Sequence, residues 1–195
     1  MKEYFTRKQI LTIPNLLTLV RLVLVPFIIY YYIAKEYYLL TVILLALSGI
    51  SDVADGIIAR KFNQVSDLGK MIDPVADKLT QIAVLFCLVW RFPLMWVPLV
   101  LLTVKEIYNA VCGLVVIKKT GRVYGADWHG KVATVMLYSM MVLHILWDII
   151  AGQRIPELLS QILIWVSVAL MVLTLILYSI QNFTLIRNAG KQEES

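Results

Sequence analysis

Charge is scarce in this chain. Only 16% of its 195 residues are Asp, Glu, Lys or Arg, against 60% hydrophobic, and a mean hydropathy of +0.79 is too apolar for a soluble domain of this length. The sequence therefore reads as an integral membrane protein. Cysteine is nearly absent: Cys87 and Cys112 both lie in apolar runs, where small buried side chains are expected rather than a disulfide or a metal site. The two histidines, His129 and His144, are scattered as well, so a zinc centre lacks its ligands. No basic stripe accompanies the net charge of +5, which removes nucleic acid as the expected partner. No small-residue cleavage site follows the first apolar run, itself too long for a signal peptide. Repeats, low-complexity linkers and a second domain are also missing. Residues 1–195 are read as one membrane domain with a short polar tail from Lys191 to Ser195.

Long apolar runs are what the chain does have. Six reach the roughly 20 residues needed to cross about 30 Å of hydrocarbon, near residues 14–33, 38–61, 67–90, 94–117, 128–150 and 157–185. The expected fold is all-α, a polytopic membrane protein with six transmembrane helices. An even number of spans puts both termini on one side. Lys2, Arg7, Lys8, Arg60, Lys61, Lys118, Lys119, Arg122, Arg187 and Lys191 fall on that side, with Lys35, Arg91 and Arg154 opposite. The positive-inside rule makes the richer side cytoplasmic, in a multi-pass protein of the cell membrane. Residues 1–12 are basic and amphipathic, with Tyr4 and Phe5, and are expected to lie as an N-terminal interfacial segment. Tyr30, Tyr31, Tyr32, Tyr37 and Tyr38 read as an aromatic belt at the outer surface.

Against this apolar background, four aspartates stand inside spans. A carboxylate at bilayer depth costs at least about 2.5 kcal/mol, so it is kept where it faces a cavity, a metal or a proton path. Asp52, Asp55 and Ala59 recur at helical spacings and share one face with Gly56 at the cytoplasmic end of the second span. Gly69, Asp73 and Asp77 make a matching stripe at the start of the third. The short connection from Lys61 to Asp67 makes the two spans an antiparallel hairpin whose stripes are expected to face each other. Four carboxylates converging on one cavity repel one another unless cations neutralise them. Hard oxygen donors suit Mg²⁺, Mn²⁺ or Ca²⁺, and a pair of such ions is a general device for holding a diphosphate. Gly56, Ala59 and Gly69 leave bare backbone for close approach of a nucleotide, and Arg60 supplies a cation for phosphate beside them.

The pattern Asp52-x2-Asp55-Gly56-x2-Ala59-Arg60-x8-Gly69-x3-Asp73-x3-Asp77 resembles the full signature of the CDP-alcohol phosphatidyltransferase family, with all eight positions present. The resemblance extends over essentially the whole chain, since six helices with the signature on the second and third agree with that family's fold. It implies transfer of a phosphatidyl group from CDP-diacylglycerol to an alcohol with release of CMP. Two ions, Mg²⁺ or Mn²⁺, are then held by Asp52, Asp55, Asp73 and Asp77. By the same resemblance Asp77 is the base that deprotonates the acceptor, a division of roles that spacing alone does not give. Homodimers are common in the resembled family, although this chain shows no interface pattern.

Residues outside the signature bear on the acceptor. The segment from Ile13 to Arg21 looks like the start of both the phosphatidylglycerophosphate synthases and the cardiolipin synthases of the family. Lys105-Glu106 resembles a basic-acidic pair of both groups, with Glu in second place leaning toward the former. Gly130-Lys131-Val132-Ala133-Thr134 is similar to their Gly-Lys-x-Lys-Thr motif, with Ala133 in place of the second lysine. Lys105, Arg122 and Lys131 are available as a basic pocket for a small phosphorylated alcohol, and glycerol 3-phosphate is the expected acceptor. The alternative within the family is a cardiolipin synthase that uses phosphatidylglycerol.

Plainer roles stand beside these. Lys105 and Lys131 can snorkel without touching substrate, Arg122 can be a topogenic loop charge, and Asn15 can cap the first helix or, with Arg21, bind lipid phosphate or cytidine. His129 is expected at the solvated interface and His144 as a satisfied polar group between helices. A divalent-cation carrier also places acids in helices. It does not account for Gly56, Ala59, Arg60 and Gly69 at their spacings, nor for an outer half that is almost purely apolar.

Overall fold

The computed structural model describes residues 13–61, 67–120 and 128–193; within these helices the side chains of residues 13–14, 52–61, 67–71, 73–74, 119–120, 148 and 188–193 fall outside the described set. The interfacial segment expected over residues 1–12 therefore lies outside the described residues. All described elements are helical: α1 (Ile13–Ile33), α2 (Tyr38–Lys61), α3 (Asp67–Val89), a 3-10 turn (Pro93–Met95), α4 (Trp96–Thr120), α5 (Trp128–Ala151) and α6 (Glu157–Glu193). The expected spans fall on these six helices almost residue for residue.

Among the described residues, four of them are long and apolar enough to cross a membrane, over Asn15–Ile33, Pro93–Lys118, Trp128–Ala151 and Glu157–Arg187, and α2 carries a shorter apolar stretch over Tyr38–Ser51. The turns that follow in α2 hold Asp52, Asp55, Arg60 and Lys61, and Asp67, Lys70, Asp73, Asp77 and Lys78 lie in the first half of α3. The last helix runs past residue 185 to Glu193, since nothing in its polar end breaks the backbone ladder. Its 37 residues extend about 55 Å, well beyond one hydrocarbon thickness.

The helices group into two compact units, Met1–Arg91 and Phe92–Ser195. In the first, α1 packs against both α2 and α3. The α1–α2 turn is closed by the Tyr37 amide donating to the Tyr31 carbonyl at 2.9 Å, with Glu36 in the left-handed region at φ 53°. The expected tyrosine belt is a set of ring contacts here: Tyr31 stacks on Tyr37, and Tyr32 meets Tyr38 edge-on at 5.1 Å. Arg91, just after α3, places its guanidinium 4.6 Å from the centroid of the Tyr38 ring. The end of α3 thus sits beside the start of α2, so the two helices run antiparallel.

In the second unit α6 packs against α4 and α5. Phe92, before α4, meets His144 edge-on at 4.9 Å near the end of α5, and His144 bonds Ser160 near the start of α6. Consecutive helices are therefore antiparallel in this unit, while α4 and α6, which pack together, run parallel. On α6, Ser167, Thr174 and Ser179 return their hydroxyls to backbone carbonyls of the preceding turn. Small side chains satisfied in this way let helices approach closely inside lipid.

Candidate active site

The aromatic contacts at one end of the first unit set the level of the aspartates at the other. Counting fourteen residues from Arg91 back along α3 reaches Asp77, and fourteen from Tyr38 along α2 reaches Asp52. Fourteen from Tyr32 back along α1 reaches Thr18. At 1.5 Å per residue all three backbones lie about 21 Å from the tyrosine cluster. Asn15, Arg21, Asp55 and Asp73 fall within about one turn of that level. The four aspartates thus belong to one layer of the unit, with Gly56, Ala59, Arg60 and Gly69 one to two turns nearer the helix ends. The side chains of Asp52, Asp55, Gly56, Ala59, Arg60, Gly69 and Asp73 lie outside the described residues, and the register gives the level of their backbones, not which way the two stripes face.

Several described side chains of this layer are polar and buried. Asn15, Thr18 and Arg21 recur every third residue on α1, at 5%, 0% and 2% exposure. The same helix face continues away from the aspartates as Ile28 and Tyr32. An arginine is tolerated at such a position only with partners, and Arg21 has one. On α2, Ser48 is buried.

On α3, Asp77 is half-buried and is held on its own helix. Gln81 Nε2 donates to Asp77 Oδ2 at 3.1 Å, and Lys78 Nζ lies 3.9 Å from the same oxygen. Lys78 also donates to Gln81 Oε1 at 3.4 Å. Sequence reasoning passed over Gln81, Lys78 and Thr18. A signal was present for the first, because Gln81 continues the four-residue series Gly69, Asp73 and Asp77.

In the second unit Lys105 is 5% exposed, and its ammonium meets Glu106 Oε1 at 3.0 Å. A buried cation needs such a partner, and most of its charge is already answered. Lys131 is exposed on α5. Phe92 and His144 mark one level, and Lys105 and Lys131 each lie thirteen residues from it along antiparallel helices, about 20 Å away. The two lysines share a depth but differ in burial. Arg122 lies outside the described residues. Asn109, one turn from Lys105 on α4, has a buried Oδ1 without a hydrogen-bond partner.

The Gly-Lys motif has a structural component. A Cβ added at Gly130 would collide with the hydroxyl of Tyr178 and stand 3.1 Å from its Cζ, so only glycine lets α6 bring this ring against α5. Ala133 is 2% exposed, a position where a lysine would be desolvated. Thr134 returns its hydroxyl to the Gly130 carbonyl at 3.0 Å.

His129 sits against the Tyr178 ring at 5.1 Å rather than standing apart in solvent. His144 is satisfied as expected. Its Nδ1 donates to the Met140 carbonyl at 2.7 Å, which assigns the tautomer and leaves Nε2 to accept from Ser160 at 2.9 Å.

Known proteins resemble the chain in parts. Cardiolipin synthase (CMP-forming) of Streptomyces coelicolor is 40% identical over 114 residues, 54% of this chain and 52% of that one. CDP-diacylglycerol–glycerol-3-phosphate 3-phosphatidyltransferase of Aquifex aeolicus is 44% identical over 69 residues, 35% of this chain and 38% of that one. The protein of the same name from Rickettsia bellii is 38% identical over 96 residues, 48% and 53% of the two chains. The chain thus spans about half the length of these relatives, or less. The profile of the CDP-alcohol phosphatidyltransferases matches residues 11–173, which include parts of both helical units, and the chain belongs to that family.

Proposed function

We propose that this protein transfers a phosphatidyl group from CDP-diacylglycerol to glycerol 3-phosphate, releasing CMP, at the cytoplasmic side of a membrane crossed by all six helices. The observation that carries the reading is the shared level of Asp52 and Asp77, fourteen residues from the Arg91–Tyr38 contact on antiparallel helices. It sets the four aspartates at one level, with Gly56, Ala59, Arg60 and Gly69 one to two turns toward the helix ends. The donor set there, four carboxylates on two helices, fits hard divalent cations such as Mg²⁺ or Mn²⁺. Asp52, Asp55, Asp73 and Asp77 are the residues that would hold two of them. Such ions supply charge stabilisation for the diphosphate and the leaving CMP.

The chain's own groups account for the rest. Gly56, Ala59 and Gly69 leave room for the nucleotide, and Arg60 and Asn15 add polar contacts to the donor. Asp77 accepts the proton of the acceptor hydroxyl as its oxygen attacks the phosphorus that carries diacylglycerol. The bond from that phosphorus to the CMP oxygen breaks, and CMP leaves with the electron pair. Lys105, Arg122 and Lys131 supply cations for the acceptor phosphate.

Phosphatidylglycerol is a second acceptor reading. It is favoured by the relative named cardiolipin synthase and by the buried Ala133 in place of a cation. Purified protein given CDP-diacylglycerol and Mg²⁺, with glycerol 3-phosphate, phosphatidylglycerol, serine and inositol phosphate offered separately, tests both. Phosphatidylglycerophosphate is the expected product. Cardiolipin from phosphatidylglycerol, with glycerol 3-phosphate ignored, replaces the acceptor assignment, and no CMP release with any alcohol removes the reaction.

A further inference from the structure

Gln81 is fully buried, with 0% exposure, and its amide lies between two groups of opposite demand. Lys78 Nζ, a donor only, faces Oε1 at 3.4 Å. Asp77 Oδ2 accepts from Nε2 at 3.1 Å. A glutamine amide is ambiguous by shape, but these neighbours permit one orientation, since the flipped amide would set carbonyl against carboxylate and NH₂ against ammonium. The spacings of three and four residues keep all three side chains on one face of α3. Lys78 adds its own charge 3.9 Å from Asp77 Oδ2. That oxygen is therefore approached by two donors of its own helix, one of them out of reach of water. Hydrogen bonds to an ionised acceptor in a low-dielectric site are the strong ones.

We propose that Gln81 is a positioning residue. With Lys78 it holds Oδ2 and fixes the orientation of the Asp77 carboxyl toward the acceptor hydroxyl. The inference rests on the phosphatidyl-transfer reading above and adds to it what holds the base. In the step concerned the acceptor O–H bond breaks, its proton passes to the Asp77 carboxylate, and the acceptor oxygen forms the new bond to phosphorus as CMP departs with the electron pair. A base acts only within hydrogen-bond reach and in line with its proton, and loss of alignment costs rate even when every group is still present. Gln81 itself touches neither substrate nor reacting atom in this scheme.

The test uses the full chain in lipid–detergent micelles with CDP-diacylglycerol and the alcohol that the wild type consumes. Gln81→Met keeps the length and burial of the side chain and removes both of its polar contacts. We expect kcat to fall about tenfold, the size of one lost charge-assisted hydrogen bond. KM for donor and acceptor should stay within about twofold, with Mn²⁺ binding by electron paramagnetic resonance unchanged. Lys78→Met should lower kcat by about threefold, as the amide is then free to turn.

A purely structural role would instead lower the melting temperature and the yield of active protein without separating kcat from KM. A well-folded Gln81→Met protein with wild-type kcat overturns the proposal, as does a fall in kcat matched by loss of Mn²⁺ binding. If Gln81→Met does not fold, Lys78→Met at its partly exposed position decides, and wild-type kcat there is the refuting result. A wild type inactive with every alcohol overturns the transfer reaction itself, a failure distinct from an active wild type indifferent to residue 81.

Discussion

The guanidinium of Arg91 lies 4.6 Å from the ring centroid of Tyr38, and this contact at one end of the first unit sets the register of the other. Sliding α3 by one turn against α2 moves Asp77 about 5 Å away from the level of Asp52. The aromatic cluster and the carboxylate layer are therefore coupled through two helices, although they share no residue. Functional consequences follow for the layer and for the second unit.

Activity is expected to require a divalent cation and to disappear in Asp52→Asn or Asp73→Asn while the fold is kept. An ion held by hard anionic oxygens loses most of its attraction when one charge is removed. CMP release measured in excess chelator, and in each variant alongside its helical circular dichroism, checks this. Full activity of a well-folded Asp73→Asn protein refutes the metal assignment.

Asp77→Asn should lower kcat by about a hundredfold or more, in the range of general-base loss, while CDP-diacylglycerol still binds. Titration calorimetry with the donor separates the two roles of this side chain. Joint loss of donor and metal binding would make Asp77 chiefly a ligand.

Lys131→Ala is the cleaner probe of the acceptor, because Lys131 is exposed whereas Lys105 answers Glu106 at 3.0 Å. Loss of one charge-assisted contact to a phosphate should cost roughly 1.5–3 kcal/mol, about tenfold to a hundredfold in acceptor KM, with donor KM nearly unchanged. Lys105→Met should also lower stability, since it removes the ammonium that meets Glu106 in a partly buried site. An unchanged acceptor KM in Lys131→Ala removes that residue from the pocket.

Gly130→Ala should destabilise the second unit by about 1–3 kcal/mol, the usual cost of overpacking, because Tyr178 has to move. Adding Tyr178→Phe takes away the nearest colliding atom, so the double variant should melt above Gly130→Ala alone. A single variant that melts like the wild type shows that the ring gives way freely.

Ser160→Ala leaves Nε2 of the buried His144 without the donor now 2.9 Å away. We expect a loss of about 1–3 kcal/mol for a buried acceptor that loses this donor. In a double-mutant cycle with His144→Leu the coupling should be smaller, about 0.6–1.7 kcal/mol, as for other hydrogen bonds between helices in lipid. Zero coupling in the cycle would mean that the bond does not join α5 to α6.

Helix positions were legible in the sequence because in lipid each apolar run has to satisfy its backbone within itself, which makes the helix a local decision. That is why the expected limits at 38, 61, 67, 128 and 157 coincide with the observed ones. The aspartate spacing was legible for the same reason, since positions three and four apart share a face of any helix. Neighbours and burial were not, because they depend on residues far apart in the chain. Glu106 beside Lys105 already offers a counter-charge in the sequence, but nothing near Lys105 or Lys131 announces that the first is buried and the second exposed. Nor does anything near Gly130 mark Tyr178, almost fifty residues away, as the side chain it makes room for. The common level of Thr18, Asp52 and Asp77 was decided by tyrosine and arginine contacts about 21 Å distant, a relation that exists only once three helices have packed.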